Sequence, residues 1–199
     1  ADPRKAPKGK LPSLIADGSS IADSELIVEY LNDMTQGRVH AGLSAKDRAL
    51  GLALTRLVDE HLYWIFVASR WLDDEWFPNI VEGFFHIAPR PIRGFIARQA
   101  RKEVAQTYHL QGLGRHTQAE QEGFARRDLQ ALQDAVHGDD FLFAAEPCVY
   151  DFAIASFMAG VFDQQPATWM THVANEFNGL KEYTERVQQR VGVFARTTA

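Results

Sequence analysis

The residues from Ser44 to Trp71 constrain the fold most, because their apolar side chains recur at steps of three and four positions. That spacing is typical of a helix with one broad buried face, and it predicts a single long helix. Ser44, with Asp47 three positions later, favours a helix start, since serine caps a first turn and an acid complements the helix dipole. His61 falls inside the apolar face and is expected to be a hydrogen-bonded core residue rather than a metal ligand.

Later segments predict more helices. Pro91 suits the first position of a helix that runs to about Leu110. Thr117-Gln118-Ala119-Glu120 is a capping box, in which the first and last side chains bond to free N–H groups of the first turn. Residues 152–161 are apolar on almost every side, as expected for a central helix, and 169–191 predicts one or two amphipathic helices. This part of the chain is therefore predicted to be all-helical.

The N-terminal region shows a different pattern, two short strands joined by a tight turn. Leu11 to Ala16 predicts the first strand, Asp17-Gly18 is a turn signal typical of hairpins, and Ser20 to Ala22 predicts the returning strand. A helix is expected to begin at Asp23 or Ser24, since both residue types accept hydrogen bonds from the free N–H groups of a first turn.

Pro12 indicates a binding function for this hairpin. Proline has no N–H, so strand pairing stops there and the backbone of Leu11 is left unpaired. If the Leu11-Pro12 peptide bond is cis, those groups face outward beside the start of the next helix, where a carboxylate is favoured. An extended peptide with an acidic end would pair with Leu11 and anchor at Asp23-Ser24.

Composition excludes several other classes of function. A net charge of −5 argues against nucleic acid or an anionic membrane as the main partner, since both select basic surfaces. No apolar run reaches the roughly 18 residues that span a bilayer. There is one cysteine and no signal peptide, so the expected location is the cytoplasm. The seven histidines lack metal-ligand spacing, and no metal is expected.

Three motifs resemble the glutathione S-transferase superfamily. Lys10-Leu11-Pro12, followed by the hairpin and Asp23-Ser24, is similar to the glutathione site of that family. Glu60-His61-Leu62-Tyr63-Trp64 and Gln111-Gly112-Leu113-Gly114-Arg115-His116 narrow the resemblance to the branch of failed-axon-connections and metaxin-like proteins. The resemblance covers nearly the whole chain. It implies an α/β thioredoxin-like N-terminal domain over 1–36 and an all-α glutathione S-transferase C-terminal domain over 37–199.

The resemblance also implies the site residues and the function. Leu11, before a cis Pro12, would pair with the cysteinyl backbone of glutathione, and Asp23-Ser24 would hold its γ-glutamyl end, with Lys10 or Lys8 near the glycyl carboxylate. Glutathione would be the co-substrate of an enzyme, a transferase that conjugates it to a small apolar electrophile. A homodimer is usual in the superfamily. The thiol-activating residue is not visible, because the first strand, helix and strand of the thioredoxin-like domain are not in this sequence, which makes that domain partial.

Two other hypotheses stay open. A non-catalytic interaction protein of the metaxin and failed-axon-connections type would keep the hairpin as a relic. A thiol oxidoreductase would use Cys148, which stands where the resembled family has a Ser or Thr that caps a helix with Asp151. The position of Cys148 favours a structural residue. The aromatic residues between Trp64 and Phe85 form either an acceptor pocket for the electrophile or, as their large apolar area favours, part of the core.

Overall fold

A computed structural model describes residues 6–9, 11–136, 138 and 140–193. The chain divides into two compact units between Arg48 and Ala49.

The first unit contains a β-hairpin and a helix. Strands β1 (Ser13–Ala16) and β2 (Ser19–Ala22) pair antiparallel, with Ser13 opposite Ala22. Asp17 and Gly18 form the two-residue turn with φ angles of 50° and 76°, as the turn between twisted strands requires. Helix α1 (Ser24–Met34) follows, and a 3₁₀ turn spans Arg38–His40. The predicted hairpin and the predicted start of α1 are therefore confirmed.

The second unit is helical throughout its described regular structure. Its helices are α2 (Ala45–Leu57, which begins in the first unit), α3 (Tyr63–Trp71), α4 (Phe77–Phe84), α5 (Arg90–Gln111), α6 (Gln118–Ala135), α7 (Val149–Phe162), α8 (Trp169–Ala174) and α9 (Asn178–Val191). The capping box at the start of α6 is present, and α5 begins one residue before Pro91. The short sheet followed by helices confirms the expected fold class.

The main core lies between the long helices of this unit. The side chains of Ile154 and Met158 on α7 are fully buried, and so are Leu180 and Tyr183 on α9. The α7 helix carries apolar side chains on nearly every side, as its sequence predicted, and the face with Ile154 and Met158 is buried whereas Phe152 is exposed.

A second, smaller core holds α4 against α5. Phe77, Ile80 and Ala97 are buried there, away from the main core, and Trp71 packs on them. We call residues 77–111 the α4–α5 hairpin. Arg101 joins the α4–α5 hairpin to the end of α3, because its guanidinium donates to the carbonyl oxygens of Trp71 and Leu72 at 2.7 Å each.

One helix departs from the sequence-based expectation. The long helix expected from Ser44 to Trp71 contains a π-helical segment at Val58–Leu62, between α2 and α3. No residue of α1 is fully buried, because a two-stranded ribbon is too small to cover its apolar stripe. Phe66 and Phe77 are buried in the cores, which agrees with the core interpretation for these two aromatic residues.

Candidate glutathione site

A backbone contact brings the two halves of the expected site together. The Asp23 N–H donates to the carbonyl oxygen of Pro12 at 3.4 Å, next to the pairing of Ser13 with Ala22. This contact places Leu11 and Pro12 beside the first turn of α1. The Leu11-Pro12 peptide bond is cis.

Asp23 has an unusual backbone conformation. Its φ of 95° and ψ of 134° lie in a region that residues other than glycine rarely adopt. Conformations of this kind cost about 1–3 kcal/mol and are concentrated at functional sites. The side chain caps α1 by accepting a hydrogen bond from Glu25 N–H at 3.1 Å. Asp23 therefore presents its carboxylate at the helix start, where the peptide dipoles make the potential positive.

The expected binding groups are open to solvent. Leu11 is 45% exposed, and Pro12, Asp23 and Ser24 are also exposed. Within the described residues, neither the Ser24 hydroxyl nor the backbone of Leu11 has a hydrogen-bond partner. Lys8 is exposed, whereas Lys10 lies outside the described residues. The site therefore offers free donors and acceptors on a surface formed by the hairpin and α1.

Comparison with known proteins decides the family. Residues 1–76 match the family model of the glutathione S-transferase N-terminal domain. The isoprene-epoxide–glutathione S-transferase of Rhodococcus sp. (strain AD45) is 32% identical over 196 residues, which are 94% of this chain and 80% of that protein. The chain belongs to the glutathione S-transferase family. Failed axon connections of Drosophila melanogaster is 29% identical over 167 residues, which are 76% of this chain and 39% of that protein. No solved structure matches significantly.

The first unit of this glutathione S-transferase family member contains one phenol, Tyr30, that sequence analysis did not consider for thiol activation. Its hydroxyl donates to Asp17 Oδ2 at 3.3 Å. Partial desolvation and the Asp17 carboxylate raise the pKa of Tyr30. A phenol stabilises a thiolate by donating a hydrogen bond to it, and the Tyr30 O–H is already donated to Asp17, so Tyr30 is poorly suited to that role.

The two motifs that narrowed the family resemblance contact each other in the second unit. Gln111 Nε2 donates to the carbonyl oxygen of Glu60 at 3.3 Å, and Gln111 Oε1 accepts from Leu113 N–H at 3.0 Å. Beside them lies a cleft of about 150 Å³, lined in part by Tyr108 and Gln121. The Tyr108 hydroxyl donates to Gln121 Oε1 at 2.9 Å. The glutamine side chains thus join α5, α6 and the π-helical segment.

His61 forms an ion pair that the sequence did not predict. Its Nδ1 bonds to Asp128 Oδ2 on α6, and its ring lies 6.1 Å from that of Phe124. The hydrogen bond to Asp128 raises the pKa of His61, with partial burial acting in the opposite direction. His61 is hydrogen-bonded, as expected, but it is half-buried rather than inside the core. A partner 67 positions away leaves no signal in a periodic pattern.

Cys148 is the N-cap of α7, and its surroundings suppress its reactivity. Its backbone N–H donates to Asp151 Oδ2 at 2.8 Å, which completes a capping box. Burial, followed by the hydrogen bond and charge of Asp151, raises the pKa of the Cys148 thiol to about 12. A helix N-terminus usually lowers a thiol pKa. Here burial and the adjacent carboxylate outweigh that effect, which favours the structural interpretation.

We expect Cys148 to react slowly with iodoacetamide in the native protein. The thiolate is the reacting form, so a pKa raised to about 12 leaves very little of it near neutral pH. Alkylation followed by mass spectrometry should be at least about tenfold slower than in urea-unfolded protein, and it should accelerate as pH rises towards 12. Equal rates in the two states would instead support the oxidoreductase hypothesis.

Other kinds of site lack support in the described part of the chain. Residues 6–9, 11–136, 138 and 140–193 hold no group of three or more His, Cys, Asp or Glu side chains placed to bind a metal ion. Of the helices described, none combines the length and the apolar character needed to cross a bilayer.

Proposed function

We propose that this chain binds glutathione at the hairpin and conjugates it to a small apolar electrophile. The observation that carries the proposal is the contact between Asp23 N–H and the Pro12 carbonyl, which holds Leu11 beside Ser24. Membership of the glutathione S-transferase family supports the choice of ligand. The match covers 80% of the Rhodococcus relative. The transferase activity of the whole protein is part of the proposal.

Each part of glutathione has a matching group. The Leu11 backbone would pair with the cysteinyl residue as an added strand does, one N–H and one carbonyl at a time. The Asp23 carboxylate would pair with the γ-glutamyl ammonium. The Ser24 hydroxyl and the free N–H groups of α1 would hold the γ-glutamyl carboxylate. Lys8, or Lys10 outside the described residues, would attract the glycyl carboxylate. Both ends of the tripeptide would therefore be held by charged or hydrogen-bonding groups.

Catalysis would consist of lowering the pKa of the bound thiol so that its thiolate attacks the electrophile. For an epoxide, the class named for the Rhodococcus relative, a sulfur–carbon bond forms as the carbon–oxygen bond of the ring breaks, and the alkoxide takes up a proton. We also propose that the protein acts as a homodimer in the cytoplasm.

Calorimetric titration with glutathione tests the site. The double variant Asp23→Asn, Ser24→Ala should bind glutathione at least about tenfold more weakly, because it loses an ionic contact and a hydrogen bond. Asparagine still caps α1, so the helix start is preserved. Glu29→Gln combined with Ser20→Ala is the matched control, since it removes an acid from α1 and a hydroxyl from β2, both exposed.

The same titration separates the two leading hypotheses. The alternative suggested by similarity to Failed axon connections is a non-catalytic interaction protein. Such a protein would show no heat of binding with glutathione, either unaltered or as the double variant. Heat of binding that is equal in the double variant and the control would place glutathione elsewhere and overturn the assignment of Asp23 and Ser24. Where binding is found, mass spectrometry of glutathione mixed with a small epoxide reports conjugation directly.

A further inference from the structure

The tip of the α4–α5 hairpin exposes an unusual number of large apolar side chains. Ile87 in the bend is 82% exposed, Phe95 on α5 is 68% exposed and Phe84 at the end of α4 is 62% exposed. Ile92 and Ile96 lie on the same stripe of α5 as Phe95, since residues three and four apart are neighbours on a helix. We call these five side chains the tip patch: Phe84, Ile87, Ile92, Phe95 and Ile96. Large exposed apolar side chains grouped in this way mark an interaction site.

Positive charge surrounds the tip patch. Residues 83–102 contain four arginines and one lysine but no acid, whereas all 26 Asp and Glu lie elsewhere with the other 16 of the 21 Lys and Arg. Two of these arginines are engaged. Arg93 pairs with Glu82 at 3.1 Å and Arg101 pairs with Asp74 at 2.8 Å. The net charge of −5 therefore conceals a local basic region.

Three cations beside the tip patch remain available. Arg90, Arg98 and Lys102 are exposed, and no described residue forms an ion pair with any of them. Helix α5 begins at Arg90, and its first turn contains no acid to offset the positive end of the helix dipole. Lys102 lies about 9 Å beyond Ile96 along the helix, at 1.5 Å per residue. Arg98 and Lys102 therefore lie about one and two helical turns beyond Phe95.

We propose that the tip patch docks on the surface of an anionic phospholipid bilayer. Phe84, Ile87 and Phe95 would enter the boundary between headgroups and acyl chains, while Arg98 and Lys102 would contact lipid phosphates. The strong exposure of Ile87 indicates a protruding surface, which suits insertion among headgroups.

A second copy of the chain fits the tip patch less well. A two-fold contact places the same surface of each protomer against itself. The three available cations, Arg90, Arg98 and Lys102, would then face their identical copies. Like charges brought together in this way repel. The charge of the region instead complements an acidic surface.

Vesicle flotation with the full chain tests this inference. Vesicles of phosphatidylcholine alone should not bind the protein, and vesicles that also contain phosphatidylglycerol should. Raising NaCl from about 0.1 M to about 1 M should weaken binding strongly, because the Debye length falls from about 10 Å to about 3 Å. The variant Arg98→Gln, Lys102→Gln should bind roughly 30-fold more weakly, since each charge near an anionic surface contributes about 1 kcal/mol.

A matched pair of apolar variants distinguishes the tip patch from general stickiness. Phe95→Ser should lose at least about tenfold in vesicle binding. Leu110→Ser is the control, because Leu110 is on the same helix and is also 68% exposed, and it should bind as the unaltered protein does. Circular dichroism checks that each variant is folded. Equal binding to both vesicle types, or equal binding by both variants, would overturn the inference. Self-association lost in Phe95→Ser, without vesicle binding, would assign the tip patch to a second copy.

Discussion

Asp151→Ala is expected to lower the free energy of unfolding by about 3–5 kcal/mol, the largest effect of any substitution considered. The Asp151 carboxylate is fully buried. It accepts hydrogen bonds from Leu142 N–H at 2.8 Å, Cys148 N–H at 2.8 Å and the Tyr183 hydroxyl at 2.7 Å. Alanine would leave all three donors without a protein partner, and two of them, Leu142 N–H and the Tyr183 hydroxyl, are buried. Each buried donor left unpaired costs about 1–3 kcal/mol before the structure relaxes.

Urea denaturation followed by circular dichroism measures this loss. Tyr183→Phe removes only one of the three donors and should cost about 1 kcal/mol. Glu182→Gln, a change at an exposed acid in the same helix as Tyr183, should have almost no effect. If Asp151→Ala cost no more than Tyr183→Phe, the carboxylate would not be the centre of this network.

Gly114→Ala is expected to cost about 1–3 kcal/mol, the usual range for overpacking. A Cβ at Gly114 would lie 2.8 Å from the backbone nitrogen of His109 and 2.9 Å from the carbonyl carbon of Tyr108. Both contacts are with backbone, so no side chain can rotate away. The turn at the end of α5 would have to open.

Gly123→Ala is the matched control for that substitution. Gly123 lies within α6, and the nearest atom to a Cβ there is the Arg127 guanidinium at 3.8 Å. Alanine should therefore stabilise α6 by about 0.5–1 kcal/mol, since it restricts the unfolded chain. Thermal unfolding of the two variants should shift in opposite directions. A similar shift for both would contradict the backbone contact proposed at Gly114.

Local chemistry explains which parts of the fold were predictable. The Asp17-Gly18 turn, the Asp23 cap and the Thr117 capping box depend only on neighbouring residues, and all three are confirmed. The reciprocal cap between Asp151 and Cys148, implied by the family resemblance, is also present. Periodicity located the long helices because burial of one face is recorded at every turn.

Features that depend on distant residues were not predictable. The π-helical segment adds one residue to a single turn. Apolar positions spaced by three and four fit a helix with or without that extra residue, so the spacing does not reveal it. Asp128 pairs with His61 across 67 positions, and nothing in either segment indicates the other. Helix α4 was missed because Pro78 falls in its first turn, where proline is tolerated although it commonly breaks helices.

The candidate site was predictable from the sequence in part. Its residue types and spacing suggested a peptide with an acidic end, and the Asp23 to Pro12 contact now shows that Leu11 and Ser24 are neighbours. Their role in binding glutathione stays a prediction, as does a domain boundary after residue 36. Composition gives only the total charge of the chain. It could not show that positive charge is concentrated along α5.

The separation of the two helical cores has a consequence for local stability. Phe77, Ile80 and Ala97 pack on one another and on Trp71 without side chains from α7 or α9. Truncation of Ile80 is therefore expected to loosen α4 and the first turns of α5. The far end of α5 stays anchored, because Tyr108 is buried in the main core.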